Sequence, residues 1–306
     1  MDFKKALSFW SLVLFANLCL AGFSSDTNLI KIHLEKITKT DSYRNYKNTD
    51  QLNATADYIK RVFSQYADSS YFQPYTVNGL PYKNVICSFG TENKKRIIVG
   101  AHYDVCGDQE GADDNASGVV GLLELARMLK GKDLKYRIDL VAFTLEEPPF
   151  FRTEAMGSYI HAKSLLEDKE NIMGMLSVEM IGYFDDAKKS QTYPVGILSW
   201  FYGNKGNYIT LVKKFAAGKF TRKFCRKFKA SKKIRTKTFA APPSLPGIDY
   251  SDHLNYWKCG ISALMITDTS FYRNANYHEK GDTMESLDIA SMSQVIDGIL
   301  FSLLKL

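Results

Sequence analysis

Two histidines and four acidic residues follow short apolar segments of this chain or lie in the loops after them. They are His102, Asp114, Glu146, Glu147, Glu179 and His278. In an α/β protein, the loops that follow the strands meet at one edge of the sheet, so these side chains are expected to gather there. Two imidazoles and three carboxylates suit zinc in a hydrolytic site, and one further carboxylate is left to act as a base. The set predicts a two-metal hydrolase site.

The adjacent pair Glu146–Glu147 is an unusual part of this pattern. A single acidic residue at a strand end is more often a helix cap or a solvated charge. Two neighbouring carboxylates after the apolar residues 140–145 repel each other and need compensation if they are buried. A divalent cation supplies that compensation. The chain has no GxSxG motif and no catalytic cysteine signature, so no nucleophilic side chain is expected.

Five segments in a fixed order resemble the zinc aminopeptidases of the bacterial leucyl aminopeptidase type. They are GAHYD at 100–104, GADDNASG at 111–118, the Glu-Glu pair, SDH at 251–253 and YHEKGDT at 277–283. Glutamate carboxypeptidase II and the glutaminyl cyclases are more distant relatives of that type. The resemblance runs from about Asp26 to the C-terminus, and its specificity lies in the combination of the motifs.

The resemblance implies how two zinc ions would be bound. His102 and Glu179 would bind one ion, and Glu147 and His278 would bind the other. Asp114 would bridge the two, since it stands four residues before the glycine of the ASG turn, as the bridging aspartate of the family does. The cofactor expected from the resemblance is therefore zinc, with two ions per chain.

The resemblance also implies roles for residues around the metal ligands. Glu146 would be the general base, and Tyr277 stands where some family members place a phenol that hydrogen-bonds the tetrahedral intermediate. Asp104 would lie behind the first histidine and fix its tautomer, and Asp282 would support the loop of the second histidine. The implied activity is an exopeptidase that hydrolyses the N-terminal bond of a peptide substrate.

Two features depart from the family pattern. The family usually carries Asp where this chain has Glu179, although the longer side chain can still reach a metal and related carboxypeptidase-type enzymes use Glu there. Residues 148–156 separate the two glutamates from Gly157-Ser158, where the family places a short Gly-rich turn. With two prolines and two phenylalanines, this stiff loop either forms a wall of the substrate pocket or packs on the neighbouring helix.

The hydrophobic pattern predicts a single α/β domain with a central mixed, mostly parallel β-sheet flanked by helices on both faces. Strands are expected at 84–89, 96–100, 136–145, 172–178, 195–199 and 261–266. Helices are expected at 29–37, 54–63, 118–129, 157–166 and 289–304. His33 and His161 lie in polar, helix-like patterns and are predicted to be surface residues.

Residues 1–22 have the layout of a signal peptide, with two lysines before an apolar run and small residues at its end. Cleavage there would leave a peptidase domain at 23–306 that is secreted or periplasmic. An uncleaved membrane anchor is the alternative, because the run is close to membrane-spanning length. Export would leave Cys87, Cys106, Cys225 and Cys259, an even number that allows disulfides without forming a disulfide framework. Cys106 does not have zinc-ligand spacing and is assigned no chemistry.

The positive charge of the chain is concentrated in residues 213–237. This segment carries twelve Lys and Arg residues and no acid, whereas the whole chain has a formal net charge of +7. Apolar residues recur at roughly helical spacing within it, which predicts one or two amphipathic basic helices. Their charged face is either a solvated surface or a docking site for an anionic membrane. Nucleic acid is not an expected partner, because no base-reading motif accompanies the charges.

Three other functions fit part of the pattern. A glutaminyl cyclase would share the fold, but those relatives use one zinc and lack the first histidine, so His102 argues against this one-zinc acyltransferase. A metal-free receptor or scaffold would have lost its ligands, whereas all five ligand positions and Glu146 carry suitable residues. A carboxypeptidase related to glutamate carboxypeptidase II usually carries extra domains, for which 306 residues leave no room.

Overall fold

The computed structural model describes residues 24–306 and is organised around one eight-stranded sheet. In chain order, strands β1 to β8 span Ser69–Val77, Leu80–Phe89, Arg96–His102, Arg137–Phe143, Ile172–Glu179, Ile209–Lys214, Thr236–Ala241 and Ala263–Thr267. Helices α1 to α8 span Thr27–Thr38, Thr49–Phe63, Gly118–Leu129, Gly157–Ser164, Leu198–Tyr202, Gly218–Ser231, His253–Lys258 and Ile289–Leu304. The signal peptide expected at 1–22 lies outside the described residues.

The strands follow the order β1-β2-β4-β3-β5-β8-β6-β7. The four central strands β4, β3, β5 and β8 are mutually parallel, while β1 and β2 form an antiparallel ribbon at one side. On the other side, β6 runs antiparallel to β8, and β7 is parallel to β6. The carboxyl ends of the four central strands therefore meet at one edge of the sheet, which is where a functional site is expected.

Helices cover both faces of the sheet. Helices α1, α2, α3, α6 and α8 pack over one apolar core, and α4 and α7 pack over a second core on the opposite face. Helix α3 is buried along its whole length apart from Arg127, whose guanidinium pairs with the buried Glu124 at 2.8 Å. The prediction of an α/β domain with a mixed sheet between two helical layers is confirmed.

Several local predictions need correction. The strand expected at 195–199 is instead a loop and the start of α5, with Val195 and Ile197 about half exposed. Strand β1 was not predicted because its edge position leaves alternate residues exposed and tolerates Pro74, so its pattern is weak. His161 is not a surface residue. It is 3% exposed, and its ring nitrogen lies 2.6 Å from the Tyr256 hydroxyl.

The basic segment contains one helix rather than a continuous amphipathic stretch. Helix α6 occupies its middle, whereas its two ends belong to strands β6 and β7. Phe220, Phe224 and Phe228 recur every fourth residue and pack into the core, so the charged residues between them face outward. Among residues 24–306, no helix is long and apolar enough to cross a bilayer.

The cysteines expected to remain after export are free thiols in the structure. Cys87 and Cys225 are buried, and Cys106 and Cys259 are half-buried. The described part of the chain therefore contains no disulfide, and the fold is held by its two apolar cores.

Candidate active site

Three of the central strands deliver site residues to the same edge of the sheet. His102 is the last residue of β3, Glu179 is the last residue of β5, and Glu146–Glu147 follow β4 after two residues. His278 lies in the loop between β8 and α8. The polar side chains that the sequence placed at strand ends are thus brought together because neighbouring parallel strands end side by side.

Asp114 lies between the two imidazoles. Its Oδ1 is 3.3 Å from Nε2 of His102, and its Oδ2 is 3.2 Å from Nε2 of His278. Oε2 of Glu179 is 3.5 Å from the same His102 nitrogen, and Oε2 of Glu147 is 3.1 Å from the His278 nitrogen. The five side chains therefore form two groups of three, each with one imidazole and two carboxylates, and Asp114 belongs to both.

Glu146 stands apart from these two groups. Its Oε2 is 3.9 Å from Nε2 of His102, farther than the carboxylates that belong to the groups. Burial raises its pKa well above the usual range of a glutamate. The site therefore contains one carboxylate that is near the two groups but not part of them.

Asp104 holds the loop that carries both glutamates. Its carboxylate accepts hydrogen bonds from the backbone N–H groups of Glu146 and Glu147, at 3.2 and 3.1 Å. The Nδ1 atom of His102 lies 3.2 Å from the backbone carbonyl of Asp104 and 3.6 Å from its carboxylate. Asp104 thus lies behind His102 as expected, and its backbone oxygen is the nearer acceptor for the ring.

The turn of residues 112–117 is fixed by the loop that follows β8. The carboxylate of Asp282 accepts hydrogen bonds from the backbone N–H groups of Asp113 and Asp114, at 2.8 and 3.0 Å. Asp282 therefore positions the Asp114 turn, and the same hydrogen bonds tie that turn to the loop that carries His278. Asp113 points away from the imidazoles and accepts hydrogen bonds from Gly182 N–H and the Asn274 side chain.

The same turn is pressed against strand β5. The side-chain nitrogen of Asn115 donates to the carbonyl of Val178 at 2.9 Å, and its oxygen accepts from the N–H of Met180 at 3.1 Å. A Cβ atom at Gly118 would lie 2.3 Å from Oδ1 of Asn115 and 2.5 Å from the Val178 carbonyl. Glycine is therefore required where α3 begins, because only its backbone can approach β5 so closely.

The chemistry of the donor set fits a pair of divalent cations. Two ligand atoms of one tetrahedral zinc, each about 2.1 Å from the ion, lie about 3.4 Å apart, close to the nitrogen–oxygen distances in both groups. Oε1 of Glu147 is buried without a hydrogen-bond partner. Burial, followed by the charge of Asp114, raises the pKa of Glu147 to about 7. Buried carboxylates crowded in this way are stabilised when a cation neutralises them.

The electrostatic pattern of Asp114 differs from that of its neighbours. Burial opposes its ionisation, but contacts with His102 and His278 outweigh burial and hold its pKa below the usual range. The pKa of His102 is raised despite burial, because the charges of Glu179 and Glu146 favour its protonated form. The carboxylates around the two imidazoles thus favour positive charge at this place.

Four residues around the site were not identified from the sequence. Ser251 donates its hydroxyl to Oε2 of Glu179 at 2.7 Å. Asp252 is fully buried beside the site, and burial raises its pKa to about 7. Both belong to the SDH motif, which was the available signal. Arg44 is buried below the Asp114 turn, where it donates to the Gly111 carbonyl at 2.6 Å. The fourth residue is Cys106, a half-buried thiol close to Glu147 and His278.

A cavity of about 350 Å³ opens from the two groups of imidazole and carboxylate side chains. Its wall is mainly aromatic and aliphatic, and it includes Phe151, Tyr193, Tyr250, Met265, Phe271 and Tyr277. Pro148 also lines the cavity, so the loop of residues 148–156 forms part of its wall. The ring of Tyr277 stacks on His278 with 3.8 Å between ring centroids, and both residues line the cavity.

Salt-bridge and ring contacts join the two loops at the mouth of the cavity. The Arg152 guanidinium lies 2.6 Å from the Asp249 carboxylate, and the rings of Phe151 and Tyr250 are 5.8 Å apart in an edge contact. These contacts hold the loop after β4 against the loop before α7. The two loops therefore hold the aromatic side chains of the cavity wall in position.

Comparison with known proteins places the site in a family. Residues 84–302 match Peptidase family M28. Escherichia coli (strain K12) has a protein described as "Uncharacterized protein YfbL" that is 43% identical over 272 residues, or 86% of this chain and 83% of that protein. A probable leucine aminopeptidase from Arthroderma otae is 28% identical over 224 residues, or 68% of this chain. The chain spans 53% of the length of that fungal protein.

Solved structures share the fold. LapB from Legionella pneumophila superimposes with a TM-score of 0.70 at 22% identity, covering 90% of this chain and 71% of that chain. A glutaminyl cyclase from Bacteroides thetaiotaomicron superimposes with a TM-score of 0.67 at 18% identity, covering 92% and 98% of the two chains. The family match spans every candidate site residue, from His102 to Asp282. The chain therefore belongs to Peptidase family M28 and is a peptidase.

Proposed function

We propose that this peptidase is a two-zinc aminopeptidase, an exopeptidase that removes the N-terminal residue of a peptide. The observation that carries the proposal is the pair of ligand groups that share Asp114, with Glu146 outside both. Zinc exopeptidases are among the proteins with a similar fold, since one from Parabacteroides distasonis superimposes with a TM-score of 0.66. A two-metal site needs one shared carboxylate and terminal ligands on each side, and these side chains supply both.

The residues of the two groups would hold the ions. His102, Glu179 and Asp114 would bind one zinc ion, and Asp114, Glu147 and His278 would bind the other. Bound zinc would polarise the scissile carbonyl and lower the pKa of the attacking water. No nucleophilic side chain is then required.

Glu146 would move the proton during hydrolysis. Its carboxylate would accept a proton from the attacking water and later deliver it to the leaving amine. The hydrogen bonds from the N–H groups of Glu146 and Glu147 to Asp104 hold this segment in place, so the carboxylate is positioned before substrate arrives. Tyr277, at the boundary between the ligands and the cavity, would donate its hydroxyl to the oxyanion of the tetrahedral intermediate.

The charge of the cavity favours the N-terminus of a peptide over its C-terminus. Among the described residues, the cavity lining contains Asp114, Glu146, Glu147 and Glu179 but no Lys or Arg. With three of these carboxylates on zinc, Glu146 would remain to pair with a free ammonium group, whereas a C-terminal carboxylate would find no cationic side chain to pair with. The aromatic wall suits a large apolar side chain on the residue that is removed.

Two measurements test the proposal together. Purified protein should contain about two zinc ions per chain, and it should hydrolyse chromogenic aminoacyl substrates with large apolar side chains faster than those with charged ones. N-acetylation of the same substrates should abolish hydrolysis, because it removes the ammonium group. Hydrolysis of N-blocked peptides from their C-terminus, with free-amine substrates left intact, would instead identify a carboxypeptidase.

Glutaminyl cyclisation is the second candidate, and the fold shared with glutaminyl cyclases favours it. This one-zinc acyltransferase would need only one of the two ligand groups. His102 completes the other group here, which favours the two-zinc peptidase. One zinc per chain, together with cyclisation of an N-terminal glutamine peptide, would favour the cyclase, and a protein that binds no zinc would be the scaffold descendant.

Two features support a proposal for the site of action, the N-terminal segment and helix α6. We propose that residues 1–22 direct export of the protein. The peptidase would then be secreted or periplasmic and act on peptides outside the cytoplasm. Helix α6 would then offer its exposed basic face to anionic membrane surfaces. N-terminal sequencing of the protein recovered from its producing cell would test cleavage, since an intact apolar segment would instead indicate a membrane anchor.

A further inference from the structure

Cys106 lies beside one of the two ligand groups. It stands four residues after His102, in the loop after β3, and it is a half-buried free thiol. Its Sγ atom, a carboxylate oxygen of Glu147 and a ring nitrogen of His278 all lie within 4.8 Å of one another. The fold thus brings a sulfur atom, a third kind of ligand atom, to the group formed by Glu147 and His278.

An unpartnered oxygen and the chemistry of the ligand atoms both favour a cation with a sulfur ligand in this group. Oε1 of Glu147 is unpartnered although the residue is only 4% exposed, so a buried carboxylate oxygen is left without compensation. Thiolate sulfur, imidazole nitrogen and carboxylate oxygen are all ligands that zinc accepts, and zinc has no electronic preference that would exclude a mixed set. The Cys106 side chain hydrogen-bonds the His278 side chain, although a thiol is only a weak donor, so the sulfur is held beside the imidazole of this group.

We propose that Cys106 is a ligand of the zinc ion held by Glu147 and His278. This inference rests on the proposed two-zinc function and makes the two metal positions unequal. The position at His102 would have nitrogen and oxygen ligands only, whereas the position at His278 would include a thiolate. Binding would replace the S–H bond of Cys106 with a sulfur–zinc bond, and the proton would leave to solvent.

The chain offers a matched control in Cys259. This residue is also a half-buried free thiol, but it lies at the end of α7, outside both ligand groups. Zinc ligation should protect Cys106 from alkylation and leave Cys259 unaffected. Iodoacetamide labelling of the full chain, stripped of metal and then reloaded with two equivalents of zinc, would measure both rates by peptide mass spectrometry. We expect at least about a tenfold slower reaction at Cys106 on zinc binding, because a bound thiolate is no longer free to attack.

Cobalt replacement separates ligation from simple shielding. The cobalt-loaded protein should show a thiolate-to-cobalt charge-transfer band in the near ultraviolet. The band should disappear in Cys106→Ser and persist in Cys259→Ser. The second cobalt equivalent should bind Cys106→Ser more weakly, by about tenfold or more, since even outer-shell changes cost that much. The first equivalent should bind as in the parent protein.

The outcomes distinguish this inference from the proposed function. Two bound ions without a thiolate band, or an unchanged alkylation rate at Cys106, would overturn the cysteine ligand and leave the two-zinc peptidase standing. A protein that binds neither zinc nor cobalt would overturn both. Two bound ions with a band that depends on Cys106 alone would establish the thiolate ligand.

Discussion

The carboxyl edge of the sheet and helix α6 are two strongly charged regions of this molecule. They differ in how far their charged side chains are exposed to water. At the sheet edge, Asp114, Glu147 and Glu179 are at most 6% exposed. On α6, Lys219, Arg222, Arg226 and Lys229 are all exposed. The acidic side chains at the sheet edge are therefore buried, whereas the basic side chains of α6 are solvated.

Burial of the charged side chains is a better indicator of the functional site than the number of charges. The segment 213–237 holds twelve basic residues, far more than the acids of the site, yet solvated lysines and arginines cost little and need no partner. Burial of an ion costs several kcal/mol unless a partner compensates it. A cluster of buried carboxylates must be compensated by protonation, by imidazolium groups or by a metal cation, which is why the smaller cluster is the stronger functional signal.

The largest effect is expected at Glu146, where the acidic region would do its chemistry. Glu146→Gln should retain zinc and lose turnover by about 10²–10⁴-fold, because an amide cannot transfer the proton while the ligand groups stay intact. Zinc content and aminoacyl hydrolysis measured on the same preparation would check this. Glu147→Gln is the matched control and should lose metal. The reverse pattern, with metal lost only from Glu146→Gln, would exchange the roles of the two glutamates.

Glu179 tests whether burial of the acids depends on metal. Glu179→Ala should lower zinc content and thermal stability together, since a ligand present at 100 times its dissociation constant stabilises the folded state by about 2.7 kcal/mol. Excess zinc should partly restore the melting temperature. Glu179→Asp should keep two ions with altered activity, because its carboxylate is displaced by one methylene.

Ser251→Ala separates the ligand role of Glu179 from its hydrogen bond. This variant removes the 2.7 Å contact with Oε2 of Glu179 but leaves the carboxylate in place. It should therefore retain two zinc ions and lose only a small part of the stability. Two zinc ions and normal activity in Glu179→Ala would show that Glu179 is no ligand.

The effect of burial can also be tested at histidines outside the site, through the pH dependence of stability. Burial lowers the pKa of His161 to about 4, against about 6.5 in an unfolded chain. Between these values the unfolded state binds a proton that the folded state does not, so the free energy of unfolding falls as pH decreases from 6.5 to 4. One such group contributes a slope of at most about 1.4 kcal/mol per pH unit.

Urea unfolding of His161→Gln across this pH range would measure that contribution. The variant should show a shallower pH dependence than the parent protein, although the hydrogen bond to Tyr256 is also altered. His33→Gln is the control, because His33 is only half-buried and should change the slope less. An unchanged slope in His161→Gln would mean that His161 is already protonated in the folded state.

The smallest effect is expected on the basic side of the comparison. Replacement of Lys219, Arg222, Arg226 and Lys229 by Gln should leave turnover of a small neutral substrate within about twofold, because surface substitutions rarely disturb the fold. Binding to anionic vesicles should fall in this variant and weaken with salt in the parent. Lys219→Arg with Lys229→Arg keeps the charge and should bind as the parent does. Absence of vesicle binding by the parent protein would overturn the membrane proposal.

The sequence by itself determined the parts that depend on local pattern. The apolar runs that become β3, β4 and β5 are continuous because these strands are buried on both faces, and each run ends at a residue of the site. The aromatic repeat of α6 has helical spacing, so its core face could be predicted as well. Motif order then indicated which histidines and acids belong together.

Only the tertiary structure decided the contacts between distant segments. His278 meets Asp114 across 164 residues of chain, as the two residue numbers show, and Ser251 meets Glu179 across 72. Cys106 joins the His278 group, although its spacing from His102 gave no sign of a ligand. Strands β1, β6 and β7 also needed the structure, since short or half-exposed strands are defined by their neighbours. Hydrophobic periodicity encodes which face of an element is buried, but which side chains meet is set by the packing of the whole chain.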